Sequence, residues 1–368
     1  MPSHIHSTSR IYNIASIPGD GIGVDITEAA VQVLTTLSNT LGGFEFEFKT
    51  FDWSSKKYLE RGWYMEDDGL EQLKKYDAIY FGAVGWPDVP DHISLWSLIL
   101  PIRKALNQYV NVRPTRILEG TKSPLAAVQA SPSDLNWVIV RENSEGEYSG
   151  QGGTSHEHSE HAIATEVSIF TQVGIERIMR FAFETAKSRP RKKLTMVTKS
   201  NAQRHGMVLW DKIFYKVAKE YPDIEIDKML VDAMTVRMVY NPKSLDTIVA
   251  TNLHADILSD LAAALSGSIG IAPSSNLDPT RKNPSMFEPI HGSAPDIAGK
   301  GIANPVGAFW SAAEMVRWLG QEKAADGLMK AIENVTAAGV KTRDLGGDKN
   351  TVEVTLAVCA EIEKLFKQ

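Results

Sequence analysis

The sequence predicts an α/β protein with much parallel strand pairing, and three observations carry that prediction. Strand-like and helix-like segments alternate along the chain, most of the strand-like ones are continuous apolar runs, and a tight glycine-rich turn separates the first run from the first helix. Strands buried on both faces read as unbroken apolar stretches, and the helices between them supply the crossovers. Residues 11–17 form the first run. The turn Pro18-Gly19-Asp20-Gly21-Ile22-Gly23 follows, then a helical pattern with apolar positions at Ile26, Ala29, Ala30, Val33, Leu34 and Leu37. Residues 44–48 alternate Phe and Glu, the period-2 mark of a half-buried strand. Residues 77–84 read as a central buried strand, and 137–140, 193–197, 224–231 and 245–250 as further strands. The Gly/Ser/His-rich piece 149–161 is the candidate for a protruding loop or arm.

Composition narrows the function classes. A chain of 368 residues, 43% hydrophobic and 23% charged, suits a globular protein of about two domains. Lys and Arg number 39 against 45 Asp and Glu, so no global basic field favours nucleic acid. A single cysteine, Cys359, leaves no intramolecular disulfide and fits a reducing, cytoplasmic compartment. No apolar run reaches transmembrane length, and the polar segment Met1–Arg10 lacks the apolar core of a secretory signal. The glycines of the first turn run G-x-G-x-G, not the G-x-G-x-x-G of a Rossmann dinucleotide site, so the turn reads as a strand-to-helix connection.

The most informative ten residues are 251–260, TNLHADILSD. Asp256 and Asp260 are four apart, which on a helix places both carboxylates on one face. Their small, apolar surroundings read as a mostly buried helix, where unpaired carboxylates are costly. An oxygen-only pair favours Mg2+ or Mn2+ over zinc; an exposed helix face carrying two acids fits the spacing equally well. Arg103, Arg113 and Arg141 each follow or interrupt apolar sequence. Taken singly, each reads as half of an internal ion pair. Taken together with the two acids, their planar forks suit an anionic small molecule. Tyr148, in a loop after a strand, and Lys199, at the end of the 194–197 run, are candidates for proton transfer; cationic neighbours would make Lys199 a better base. Ordinary surface placement is the plain reading of both.

The longest signal is 288–305, EPIHGSAPDIAGKGIANP. With the preceding residues, it makes the chain resemble the β-decarboxylating dehydrogenases, the isocitrate and isopropylmalate dehydrogenase family, from residue 11 to the C-terminal helix. Stretches 89–96 (VPDHISLW), 108–114 (QYVNVRP) and 140–148 (VRENSEGEY) are most similar to members that act on D-malate and tartrate. The resemblance implies a two-domain isopropylmalate-dehydrogenase-like α/β fold with a parallel or mixed central sheet. Residues 1–108 plus 267–368 would form a large cofactor-binding domain. Residues 109–266 would form a small domain with the dimer interface and an arm near 149–165.

Roles carry over residue by residue. Arg103, Arg113 and Arg141 would clamp the substrate carboxylates. Asp232, expected to close the strand 224–231, would join Asp256 and Asp260 around the divalent cation, and K+ is a further candidate. Lys199 would be the base for the 2-hydroxyl and Tyr148 the acid that protonates the enolate carbon. Lys199 and Asp232 would come from the partner of a homodimer with shared active sites. Asn201 would lie beside the nicotinamide, and His291 and Asn304 beside the adenine. Glu288, Gly292, Ser293, Ala294 and Ile297 would complete the cofactor contacts. Asp296 favours NAD, because its carboxylate accepts both ribose hydroxyls and would repel a 2′-phosphate; NADP-using relatives carry a Lys-Tyr pair at Asp296-Ile297. Trp96, with Ile99 and Leu100 before Arg103, would fill the space an isopropyl substituent needs, with a place in the core as the less favoured reading of Trp96. Pro101 either bends this helix or starts a new one. The rival readings are a 3-isopropylmalate dehydrogenase, a non-catalytic regulatory subunit and a plain nucleotide-binding module. The regulatory reading is disfavoured, because Tyr148, Lys199 and all three aspartates are present.

Overall fold

The computed structural model describes residues 9–125 and 135–367, so the N-terminal tail lies outside the described residues but for its last two. The chain divides into two compact units. The first comprises Met1–Asn107, Leu118–Lys122 and Gly267–Gln368, and the second Gln108–Ile117 and Ser123–Ser266.

In the first unit five strands lie in the order Phe44–Thr50, Arg10–Gly19, Ala78–Ala83, Ser285–Pro289 and Pro273–Leu277. The first four pair in parallel, and Pro273–Leu277 runs antiparallel to its neighbour. The Ile22–Leu41 helix buries Ile26, Ala30, Val33, Leu34 and Leu37, the face its spacing marked. Gly19 and Gly21 both have positive φ. A Cβ on Gly21 would stand 2.1 Å from the Ser293 carbonyl oxygen, so only glycine fits the turn. Ile17, Phe51, Trp53, Phe81 and Leu98 anchor this unit's core.

In the second unit the order is Val110–Arg116, Asn136–Glu142, Thr247–Ala250, Lys193–Thr198 and Glu225–Leu230. The first pair is antiparallel and the rest are parallel. Gly146–Ser155 and Ile163–Ile169 form a separate antiparallel ribbon whose outer residues are exposed. The expected arm is therefore a strand hairpin. Trp137, Ile139, Val197, Ile248 and Leu258 lie in the second core. The mixed α/β architecture agrees with expectation, and the fold is not of the Rossmann dinucleotide type.

Three expectations are corrected. The strand expected over 224–231 ends at Leu230, and Asp232 lies in the first turn of the Val231–Tyr240 helix instead of closing the strand. Tyr148, expected in a loop after a strand, lies within the Gly146–Ser155 strand instead. Trp96 is not a core residue. It is 38% exposed, with the Lys104 ammonium 5.2 Å from its ring centre.

Pro101 also finds its explanation. The Asp91–Ser94 and Leu100–Ala105 helices are joined by a π-helical turn, Leu95–Ile99, in which the Leu100 N–H reaches back to the Leu95 carbonyl. A proline cannot donate and its ring crowds the carbonyl four residues back. The wider turn just ahead of it lets the helical path continue.

Candidate active site

Asp256 and Asp260 lie in the Asn252–Ser266 helix, as their spacing implied. Asp256 gathers the basic and phenolic groups of this unit. Arg113 Nη1 lies 3.1 Å from Asp256 Oδ1, Arg141 Nη1 hydrogen-bonds to the same oxygen, and the Tyr148 hydroxyl donates to Oδ2 at 3.3 Å. Both arginines are buried. Arg113 comes from Val110–Arg116, where Nε donates to Asn111 Oδ1 at 2.8 Å and Nη1 to the Ser259 hydroxyl at 2.5 Å. Arg141 comes from Asn136–Glu142; Nε and Nη2 donate to Asn252 Oδ1 at 2.9 and 2.6 Å, and its guanidinium lies 5.5 Å from the Tyr148 ring centre. Two buried guanidiniums thus converge on one carboxylate.

Asp260 is exposed on its outer side, yet its carboxyl is held above the ordinary range. Lost hydration is the main cause and the charge of Asp256 adds to it, while Arg113 and Arg141 oppose. A cation beside this pair would remove that penalty, and the donors are all oxygen. Among the described residues, no three His, Cys, Asp or Glu side chains of one chain gather as a metal cage.

Lys199 follows the Lys193–Thr198 strand directly, and its ammonium donates to Asp232 Oδ1 at 2.6 Å. Its close partner is therefore a carboxylate, where the sequence reading had looked for cations. The hydrogen bond from Lys199 holds the Asp232 carboxyl below its ordinary range. Asn201 is exposed in the turn that follows.

Glu142 is a buried neighbour that motif reading passed over. It accepts from the backbone N–H groups of Ser144 and Glu145, pinning the turn that leads to Tyr148, while burial pushes its carboxyl up. Asn111, Asn252 and Ser259, the arginines' partners, were likewise not singled out, although Asn252 lies inside the 251–260 stretch.

The first unit holds the remaining candidates. Arg103 is buried and donates from Nη2 to Glu288 Oε1 at 2.7 Å; Asn276 donates to the same oxygen at 2.7 Å, and Arg103 Nε has no acceptor. Glu288 thus appears here as an arginine partner. A cavity of about 510 Å3 is lined by His291, Gly292, Ala294, Ile297 and Asn304, together with Ile22, Ile302 and Asp344. Ser293 and Asp296 do not line it: Ser293 is buried behind the wall, and Asp296 is exposed.

Burial holds the His291 ring below the usual histidine range. Its Nδ1 lies 2.9 Å from the Gly292 carbonyl, which can only accept, so Nδ1 carries the proton. Its Nε2 is then a buried acceptor without a partner. Asn304 donates to Asp344 at 2.8 Å and accepts from the Val306 N–H at 3.0 Å, so its side chain is held by the protein. Asp344, Ser268 and Gly270 had no sequence signal; they reach the cavity through tertiary packing alone.

A dehydrogenase of one particular fold class carries this combination of mixed sheets, arginine-bound aspartate helix and histidine-lined cavity. The chain belongs to the isocitrate/isopropylmalate dehydrogenase family, whose model matches residues 13–362. It is 62% identical over 353 residues to a probable tartrate dehydrogenase/decarboxylase of Agrobacterium vitis, covering 96% of this chain and 98% of that one. It is 48% identical to a decarboxylating D-malate dehydrogenase of Escherichia coli strain K12, covering 95% and 98%. Among solved structures, an isocitrate dehydrogenase from Methylococcus capsulatus superposes with a TM-score of 0.87 at 36% identity, covering 96% of this chain and 99% of that chain. No described helix is long and apolar enough to cross a membrane.

Proposed function

We propose that this enzyme oxidises the 2-hydroxyl of D-malate and of tartrate with NAD+ and removes the β-carboxylate, giving pyruvate and CO2 from D-malate. Tartrate would give oxaloglycolate or, where CO2 is lost and the NADH just formed returns its hydride to the resulting hydroxypyruvate, glycerate with no net change in NAD+. The observation that carries this reading is the pair of buried arginines converging on one aspartate beside Tyr148. A hydroxy-dicarboxylate offers two further anionic groups for those guanidiniums, each suited to a bidentate fork. The names of the relatives supply the substrate class.

Asp256 and Asp260 would hold a divalent cation, Mn2+ or Mg2+, with Asp232 of a second copy as third carboxylate. Bound there, the cation supplies Lewis-acid polarisation of the substrate oxygens, and NAD+ supplies the hydride acceptor. Lys199 takes the hydroxyl proton as hydride leaves C2. Arg113 and Arg141 hold the carboxylates so that the C3–carboxylate bond can break once C2 is a ketone. Tyr148 then delivers a proton to C3, completing the acid–base pair. In the cofactor cavity, His291 Nε2 is an acceptor suited to the exocyclic amine of adenine, and the exposed Asp296 carboxylate would accept from the ribose hydroxyls.

A homodimer with shared sites is supported by the exposed position of Asp232 and by the exposed apolar residues Val236, Tyr240 and Ile257. A cytoplasmic location goes with this reading. The deciding experiment is a panel of D-malate, L-tartrate, meso-tartrate, 3-isopropylmalate and isocitrate with NAD+ or NADP+ and Mn2+, following NADH or NADPH and CO2. A higher kcat/KM for 3-isopropylmalate than for D-malate and tartrate would discard the substrate assignment, and a preference for NADP+ the cofactor.

A further inference from the structure

Asp20, in the Pro18–Gly23 turn, is 5% exposed. Its carboxylate accepts from the Ser55 N–H at 2.7 Å, the Ser55 hydroxyl at 2.5 Å and the Gly85 N–H at 2.9 Å. All three donors are neutral, so the charge of a buried carboxylate is met by hydrogen bonds alone. Its own N–H donates to the Ala83 carbonyl at 2.7 Å, which fixes the residue in place.

The Gly85 contact opens a closed circuit. The Gly85 carbonyl accepts from the Ser293 hydroxyl at 2.5 Å. The Ser293 carbonyl accepts from the Ile22 N–H at 2.8 Å, and Ile22 is two residues from Asp20. Ile22 and both chain neighbours of Ser293, Gly292 and Ala294, line the cavity assigned above to the cofactor. The circuit has little slack, since Gly21 approaches the Ser293 carbonyl as closely as a missing Cβ allows.

From this circuit we infer that Asp20 is a positioning residue for the cofactor: its carboxylate sets the Gly85 peptide, which seats Ser293 and with it the wall that Gly292 and Ala294 present. The inference rests on the reading of that cavity as the NAD site. Asp20 itself touches no reacting atom, so its removal should appear in the KM for NAD+ and leave the KM for D-malate unmoved.

The test is calorimetric titration with NAD+, which should show the same loss of affinity, together with steady-state kinetics on the full-length enzyme carrying Asp20→Asn, Ser293→Ala or both. An amide cannot accept from all three donors, and losing one hydrogen bond to a buried charge predicts a rise in the NAD+ KM on the order of tenfold. The double variant should be no worse than the weaker single, because both cut one circuit. Ser55→Ala, which removes one donor, should shift the same constant less. If Asp20→Asn does not fold, Ser55→Ala and Ser293→Ala decide by the same measurement. Additive effects, equal rises in both KM values, or an unchanged NAD+ KM would overturn the inference. Wild-type enzyme that fails to reduce NAD+ would instead refute the cofactor reading on which it rests.

Discussion

The two candidate regions are built on opposite plans. In the histidine-lined cavity of the first unit apolar side chains and glycines alternate with Ser268, Arg343 and Asp344, Asn304 is held by Asp344 and Val306, and one imidazole nitrogen stands without a partner. In the aspartate-helix region of the second unit almost every polar atom is engaged: Arg113 and Arg141 are tied to Asp256, Asn111, Asn252 and Ser259. The first region is a shape waiting to be filled, and the second a charge network waiting to be re-paired. A ligand gains contacts in one and exchanges partners in the other. Substitutions should therefore act mainly on binding in the cavity, and on both stability and turnover in the network.

The largest effect should come from Lys199→Met, which removes the proposed base. The kcat for D-malate is expected to fall roughly a thousandfold with little change in Tm, since the pair with Asp232 is exposed. Chelation with EDTA should abolish NADH formation, and added Mn2+ should restore it; turnover surviving the chelator would remove the cation from the scheme. Asp256→Ala leaves two buried guanidiniums without their shared carboxylate, so the urea midpoint should drop by an equivalent of about 2 kcal/mol. Saturating tartrate should recover part of that loss by supplying carboxylates, which no cavity variant would do. Trp96→Ala should raise kcat/KM for 3-isopropylmalate by about tenfold if its ring occupies the space of the substituent.

The smallest effect concerns pH. The folded His291 ring titrates below its unfolded value, so the unfolded chain binds the extra proton first. Its contribution is present above the unfolded histidine pKa of about 6.5 and is lost as pH falls from there toward the folded value. His291→Gln should flatten the Tm profile in that window. An unchanged profile would assign the slope to other groups, such as half-buried His254.

Much of the architecture was legible in the sequence because apolar period and turn glycines are local properties. Residues 11–17, 77–84 and 245–250 announced their strands, and the four-residue spacing of Asp256 and Asp260 announced a shared helix face. Pro273–Leu277 gave no such signal: its Ser274, Ser275 and Asn276 are polar yet buried, and Asn276 finds its acceptor, Glu288, on the neighbouring strand. Val110–Arg116 hid in the same way behind Arg113 and Pro114. The arginines themselves were legible as residues that needed anions, but which anions they found depended on tertiary packing. Asp344, which holds Asn304 from 40 positions away, lay beyond any local rule.

The five-residue turn ahead of Pro101 is one residue longer than a regular helix would use. Deleting any one of Leu95 to Ile99 would tighten it and spin everything upstream by about 100° about the axis relative to Arg103. Trp96 would swing off its present bearing in one stroke. Were Trp96 to face the C3 substituent, a single lost codon would change the group admitted there and leave the Arg103 guanidinium where it stands.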